Sequence, residues 1–358
     1  MTAEQLYVVL EGPRAGHYRG LAQSLLGPHG RVAYVDCSRE VPLPDRERAL
    51  DALLPDATAV VTTPWLGGTA LGLELPAFDQ ARWARAARLK AIAGTFDFRL
   101  AWIDPDEAAR RGVALADTSR TMTPTVAEFG VAMTLNLLRL IPDHVELVRR
   151  GEWIASPPGG GRYVYGDLAG RRVRLAGYGS INRHYRRLVS SFECDVRTYD
   201  PFVDDAVLER DSVGRAASLA DLAADAEVFV VAIPPTPETI GVISAEVLDA
   251  LPTGSLFVLL SRMAVVEQEA LWRRVRADEL RVAVDVFEPE PPPPDAWFRT
   301  APNVLPTPHI AGNAVYAHQR CFVEACRDAV RAVGGEAPHH PATTRDKQLY
   351  AGTLARAE

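Results

Sequence analysis

Short apolar runs alternate with longer stretches of helical period along most of this chain. That alternation constrains the fold more than any other feature. "LYVVL" (6–10), "RVAYV" (31–35) and "TAVVTT" (58–63) read as strands with helix-like segments between them. The pattern returns at "RRVRLAG", "DVRTYD", "EVFVVAI", "GSLFVLL" and "LRVAVDV". Strands that are apolar on every residue are buried on both faces, as in parallel sheets covered by helices on both sides. With 358 residues there is room for two such α/β units, each with its own core.

The boundary between the units is expected near "TMTPTVAEFGVAMTLNLLRLIPDHVELVRRGEW". Thr125 and Glu128 fit a capping box, and Pro124 suits a first helical turn. Apolar residues from Phe129 to Ile141 run almost all round this helix. It should therefore be buried, inside the chain or against a second subunit, and end near Pro142. "SPPGGGRYVYGDL" (156–168) reads as an exposed connector, and "EPEPPPPDAWF" (288–298) as a proline-rich loop inside the second unit. The tail from Gly334 has weak periodicity and is expected to be partly mobile.

Several function classes fall away on bulk properties. A net charge of −7 argues against a nucleic-acid partner. The most apolar helical stretch, Val131–Ile141, is well short of the ~20 residues that a membrane span needs. The N-terminus lacks the basic start and apolar run of a signal peptide, so a soluble, cytoplasmic protein is expected. Cys37, Cys194, Cys321 and Cys326 form no metal-ligand spacing and read as structural thiols. No metal site is expected.

"AGYGSIN" (176–182) follows the strand-like "RRVRL" and precedes a helix-like segment. Gly177 allows a tight turn, and Gly179 lets backbone N–H groups approach a pyrophosphate at a helix N-terminus. Ser180 and Ile181 beside them are further cofactor-binding candidates. Asp200, at the end of the next strand, would bond the adenosine ribose hydroxyls and repel a 2′-phosphate, which favours NAD over NADP. Asn182 stands at the third position of the motif, where glycine or alanine permits close helix–strand packing. It should shift the helix slightly without abolishing binding.

"LLSRMAVVEQEAL" (259–271), "VAVDVFEPEP" (282–291) and "LPTPHIAGNA" (305–314) follow in order at strand ends. They offer a fixed cation, a carboxylate and an imidazole. Hydride transfer between a hydroxyl carbon and a nicotinamide needs a group to move the hydroxyl proton, and His309 has the right chemistry for it. It also needs a cation that holds a carboxylate and polarises a carbonyl, which Arg262 can do with its forked guanidinium. Glu290 could orient the imidazole. Each residue taken singly has an ordinary structural explanation; their joint occurrence behind a dinucleotide loop does not.

From about Thr58 to Gly335 the chain resembles the D-isomer-specific 2-hydroxyacid dehydrogenase family. The resemblance is carried by "AGYGSI", "YDP" (199–201), "PPTPETIGVI" (234–243) and the three motifs above. It implies two Rossmann-like domains with parallel sheets. An NAD domain (122–312) is then inserted between two parts (1–121 and 313–358) of a flavodoxin-like substrate domain. It implies NAD as cofactor, a small 2-hydroxy or 2-oxo acid as substrate, and a homodimer joined through the nucleotide domain, which suits the apolar helix 125–141. Arg262 then matches the substrate-binding arginine, Glu290 the carboxylate paired with histidine, and His309 the acid/base. Asp285 matches an aspartate that tunes the cofactor end, and Pro234 a cofactor-lining position.

The chain departs from the family pattern at several places. Met263 replaces the glycine after the active arginine and would add bulk near the nicotinamide, and Glu267 replaces an aspartate. "GTFDFRLAWID" (94–104) replaces a glycine-rich loop that grips the substrate carboxylate, and Ser119 and Arg120 stand where Pro-Gly is usual. Thr95, Phe96, Arg99 and Arg120 are accordingly candidate substrate contacts, with one arginine binding a second carboxylate or a phosphonate. Rival readings are an NAD-sensing protein without catalysis and a dehydrogenase of a phosphonate or phosphite-like anion. A formate-dehydrogenase-like reaction is disfavoured by Glu290, because formate enzymes of the superfamily place glutamine beside the histidine.

Overall fold

The structure, a computed structural model, describes residues 4–12, 16–38, 40–64, 75–96, 102–155 and 164–342. The chain divides into two compact units: residues up to Met122 together with those from Ala314 onward, and Thr123–Asn313. In the first, β1 (Leu6–Glu11), α1 (Gly16–Leu26), β2 (Arg31–Asp36), α2 (Leu43–Leu53), β3 (Ala59–Thr62), α3 (Gln80–Arg85), β4 (Ala91–Gly94), α4 (Pro105–Arg110) and β5 (Ala114–Asp117) alternate. The sheet is wholly parallel, with strand order β2-β1-β3-β4-β5. This is the flavodoxin-like order. β4 ("AIAG") and β5 ("ALAD") were not among the expected strands, because alanine, glycine and aspartate carry little β-propensity.

The second unit opens with α5 (Thr123–Arg139) and α6 (Ile141–Arg149), and then builds its sheet. That sheet comes from β6 (Arg172–Ala176), α7 (Ser180–Leu188), β7 (Asp195–Tyr199), α8 (Asp205–Asp211), β8 (Gly214–Arg215), α9 (Leu219–Ala223), β9 (Val228–Val231), α10 (Ala245–Ala250), β10 (Leu256–Leu259), α11 (Gln268–Arg276), β11 (Arg281–Val284) and β12 (Val304–Pro306). The order β12-β11-β10-β9-β6-β7-β8 is a Rossmann sheet extended by one strand. The sheet separates two apolar clusters, one around Phe229, Phe257 and Trp272, the other around Leu175, Tyr185 and Val230.

The helix expected at the boundary differs in three respects. A 3-10 turn over Ser119–Met122 leads directly into α5, so Thr125 lies inside the helix and not at its N-cap. Only one face is fully buried (Ala127, Gly130, Met133, Thr134, Leu137, Leu138), while Glu128 and Arg139 are exposed. Gly130 is needed there because a Cβ would come within 2.5 Å of Leu260 Cδ1. Leu140, in the left-handed region, separates α5 from α6, whose first turn holds Pro142. Of the connector expected to be exposed, 156–163 lies outside the described residues. The rest is tied down: Val164 N–H donates to Gly254 O, Gly166 N–H to Leu138 O, and Leu168 is buried.

The chain then returns to the first unit as α12 (Val315–Val333), which buries Phe322, Ala325, Cys326 and Ala329 in the cluster around Tyr7 and Val9. The tail is held as far as Ala342. Buried Asp328 accepts from His339 N, His340 N and His340 Nδ1, and the segment pairs antiparallel with β5. Residues 343–358 lie outside the described residues. No described helix is long and apolar enough to cross a membrane.

One buried charge braces the second sheet. Arg174 on β6 is 1% exposed and bonds both Asp225 oxygens and Asp195 Oδ2, each at 2.7–2.8 Å. The Arg174 hydrogen bond holds the Asp225 carboxyl below its ordinary value. Its stabilising contribution is therefore present above the ordinary aspartate pKa and is lost as pH falls through the depressed one. We predict that Asp225→Ala lowers the unfolding free energy by about 1–2 kcal/mol at neutral pH, with the deficit shrinking in acid. Urea melts at pH 7 and pH 3.5 check this; an equal deficit at both would refute it.

Candidate active site

Six sequence-selected residues of the second unit lie just beyond the C-terminal ends of parallel strands, where ligands bind in open α/β sheets. Gly177 follows β6, Asp200 β7, Pro234 β9, Arg262 β10, Asp285 β11 and His309 β12.

Gly177 has φ +80°, which residues with a Cβ rarely adopt, and a Cβ there would stand a tight 3.1 Å from Ile233 Cγ1, so the turn favours glycine. Gly179 caps α7 with extended backbone and no side-chain hydrogen bond, which leaves Ser180 and Ile181 N–H at an uncapped helix N-terminus. Asp200 accepts Tyr178 N–H at 2.7 Å on one oxygen and Phe202 N–H at 2.9 Å on the other. Each oxygen keeps a lone pair for a hydroxyl. Pro234 begins a knotted turn in which Thr239 Oγ1 donates to its carbonyl at 2.6 Å.

Three residues around this turn were not read from the sequence. Tyr178 is buried with its hydroxyl on Asp211 at 3.0 Å, and burial raises its phenol pKa. Arg183 donates from Nε to Tyr178 O at 2.9 Å and lies 5.6 Å from the ring centroid, which places a cation at the mouth of the loop. No motif spacing signals these contacts; an arginine one turn into the helix is the only hint.

At the other end of the sheet, His309 Nδ1 and Glu290 Oε1 are 2.6 Å apart. With the Nδ1 proton on that bond, Nε2 is left to exchange a proton with a ligand. Glu290 sits on a loop anchored by the stack Trp272–Phe298–Phe287, with ring centroids 5.4 and 4.8 Å apart. His309 has φ +55°, rare for a side chain of its size. Asp285 holds that turn: its buried carboxylate accepts Thr307 Oγ1 at 2.6 Å, Ile310 N–H at 2.9 Å and Ala311 N–H at 2.8 Å. Burial raises the Asp285 pKa above the ordinary carboxylate value, against the pull of these three donors. Arg262 has its Nη1 on Ser261 O at 2.8 Å.

In the first unit, Thr95 Oγ1 lies 3.2 Å from Thr118 Oγ1. Phe96 places its ring in the core against Trp102, and its N–H is engaged by Asp117 Oδ1 at 3.2 Å. Arg120 is exposed on the 3-10 turn. Arg99 lies outside the described residues.

Residues 131–311 match the family described as D-isomer specific 2-hydroxyacid dehydrogenase, NAD binding domain. The chain belongs to the D-isomer-specific 2-hydroxyacid dehydrogenases. It is 30% identical over 290 residues to a glyoxylate reductase of Thermofilum pendens, covering 76% of this chain and 80% of that one. Identity to a D-3-phosphoglycerate dehydrogenase of Archaeoglobus fulgidus is 26% over 303 residues, 82% of this chain and 56% of the relative. The chain thus spans about half the length of the phosphoglycerate dehydrogenases it matches. Among solved structures, the holo D-mandelate dehydrogenase of Rhodotorula graminis matches in fold with a TM-score of 0.76 at 22% identity, over 95% of this chain and 98% of that one.

Within this family the chain carries its unusual residues in well-defined ways. Met263 is buried, its side chain packed in the core cluster that includes Phe257 and Val265. Glu267 braces a helix by accepting Ala245 N–H at 2.8 Å at the start of α10. Asn182 does more than adjust packing. It is fully buried, and its Nδ2 donates to Gly177 O at 2.6 Å and Ala176 O at 3.2 Å, stapling the glycine turn to the helix that follows.

Proposed function

We propose that this chain is an NAD-dependent oxidoreductase that interconverts a D-2-hydroxy acid and its 2-oxo acid. The observation that carries the reading is the 2.6 Å His309–Glu290 pair on a turn held by Asp285. The residues present fit the dinucleotide: a positive-φ turn that favours glycine, an uncapped helix N-terminus, and a carboxylate with open lone pairs where the ribose belongs. When bound, the nicotinamide supplies the hydride acceptor or donor. His309 Nε2 takes the hydroxyl proton on oxidation and returns it on reduction, while Glu290 keeps the ring oriented and balances its charge. Arg262 holds the substrate carboxylate and polarises the carbonyl. Asp200 disfavours a 2′-phosphate and so selects NAD.

In this reading residues 122–312 form the nucleotide domain, and 1–121 with 313–358 the substrate domain. The substrate class includes acids with a second anionic group, bound by Arg99 or Arg120; unchanged KM for mono- and di-anionic acids in the double alanine variant would remove that refinement. The protein acts as a homodimer through the nucleotide domain. α6 supports this: Ile141, Val145 and Val148 form an exposed apolar stripe continued by Trp153 and Ile154. Four cysteines without disulfides fit the reducing cytoplasm.

The test is NADH consumption across a panel of 2-oxo acids. We expect turnover with at least one acid, and about 10- to 100-fold lower kcat/KM in Arg262→Lys, which keeps the charge but loses the fork. Silence across the panel with NADH still bound would favour a sensing role instead.

A further inference from the structure

Glu290 stands in a segment that can accept hydrogen bonds and hardly donate them. Between Phe287 and Asp295 the chain reads Glu-Pro-Glu and then four prolines, so only Glu288 and Glu290 carry a backbone N–H. Such a segment is stiff, but it has little with which to fasten itself to the body of the protein. Its base is fastened by rings. Phe287 before it stacks on Phe298 after it, with centroids 4.8 Å apart and planes 12° from parallel. Farther out, apolar packing does not close on the loop: a cavity of ≈150 Å³ is lined in part by Trp272, Arg276, Phe287, Pro292, Pro293 and Trp297.

Arg299 supplies the missing donors. It follows Phe298 on a 3-10 turn, Trp297–Arg299. From there its Nε donates to Pro293 O at 2.9 Å and its Nη2 to Pro292 O at 2.8 Å. Ala296 N–H adds a third bond, to Pro293 O at 3.1 Å. One planar fork thus grips two consecutive carbonyls, which fixes direction as well as distance. Pro292 is two residues from Glu290, and the prolines between have φ locked by their rings, so the position of these carbonyls is passed on to Glu290. We infer that Arg299 is a positioning residue for the His309–Glu290 pair, setting where the Glu290 carboxylate meets the imidazole. Its effect on turnover rests on the oxidoreductase reading above; its effect on the pair rests on geometry alone.

Proton NMR of the free protein, labelled at histidine, and steady-state kinetics test this together. A histidine Nδ1–H held against a carboxylate gives a downfield signal, and that of His309 is the one absent in Glu290→Gln. Arg299→Ala is expected to broaden or abolish this signal, to lower kcat about ten-fold, and to leave KM and the NADH Kd unchanged. Arg299→Lys, which reaches one carbonyl, restores part of both the signal and kcat. When Arg299→Ala is combined with Glu290→Gln, kcat should match that of Glu290→Gln alone, because the arginine acts through the carboxylate. A parent-like signal in Arg299→Ala overturns the proposal, and so does an additive loss of kcat in the double variant. A parent that turns over no acid, while Arg299→Ala still loses the signal, overturns the oxidoreductase reading and leaves the positioning role standing.

Discussion

A His309→Asn variant is expected to fold as the parent does and to turn over about 10²–10⁴-fold more slowly. Asparagine is chosen because it tolerates the left-handed backbone that His309 adopts at φ +55°. The substitution therefore removes Nε2 without straining the turn. NADH affinity, measured by fluorescence, should stay near the parent's while kcat falls. A kcat loss below ten-fold would exclude His309 as the proton carrier. Asp285→Asn reaches the same residue indirectly. An amide keeps one acceptor oxygen and puts an NH2 group where the other carboxylate oxygen accepts a donor, so at least one of the three bonds that hold the turn from Thr307 to Ala311 is lost and kcat falls with the imidazole chemically intact. Burial raises the Asp285 pKa, so its stabilising contribution is full below the ordinary aspartate value and is lost as pH rises through the raised one. Asp285→Asn should flatten that part of the pH–stability curve.

Asn182→Asp is expected to destabilise the protein by about 3–5 kcal/mol at neutral pH and to weaken NADH binding at least ~100-fold. The new carboxylate would be fully buried against the carbonyl oxygens of Ala176 and Gly177, to which Nδ2 now donates. A buried anion facing two acceptor oxygens is repelled by both, and it adds repulsion beside a phosphate-binding turn. Asn182→Gly restores the residue that the dinucleotide motif calls for and should retain NADH binding, with some loss of stability as the staple goes. Thermal melts and NADH titration of both variants decide the matter. An aspartate variant as stable and as tight-binding as the parent would show that the staple holds nothing.

Much of this was legible in one dimension. Gly177, Asp200, Arg262, Asp285 and His309, read from the sequence at or after strand ends, do stand there, because a parallel α/β sheet places its loops in chain order along one edge. Strands β4 and β5 are not legible because their alanines and glycine make strands only when β4 pairs with β3, β5 pairs with β4 and α12 covers both. Thr125 and Glu128 have capping-box spacing, but the helix starts earlier because a 3-10 turn at Ser119–Met122 feeds directly into it.

The sequence by itself determined the two α/β units, the dinucleotide turn and the roster of chemical groups. These depend on local properties: apolar runs long enough to be buried on both faces, a glycine where φ must be positive, side chains of a given charge. Only the tertiary structure decided what those groups are bonded to. Glu290 meets His309 because a stack of Trp272, Phe298 and Phe287 brings its loop there. Asp285 becomes the strut of a strained turn, Met263 a core residue and Asn182 a staple. In each case the deciding factor is which donor faces which acceptor, or which side chain fills which space, among residues that the chain keeps apart until it folds.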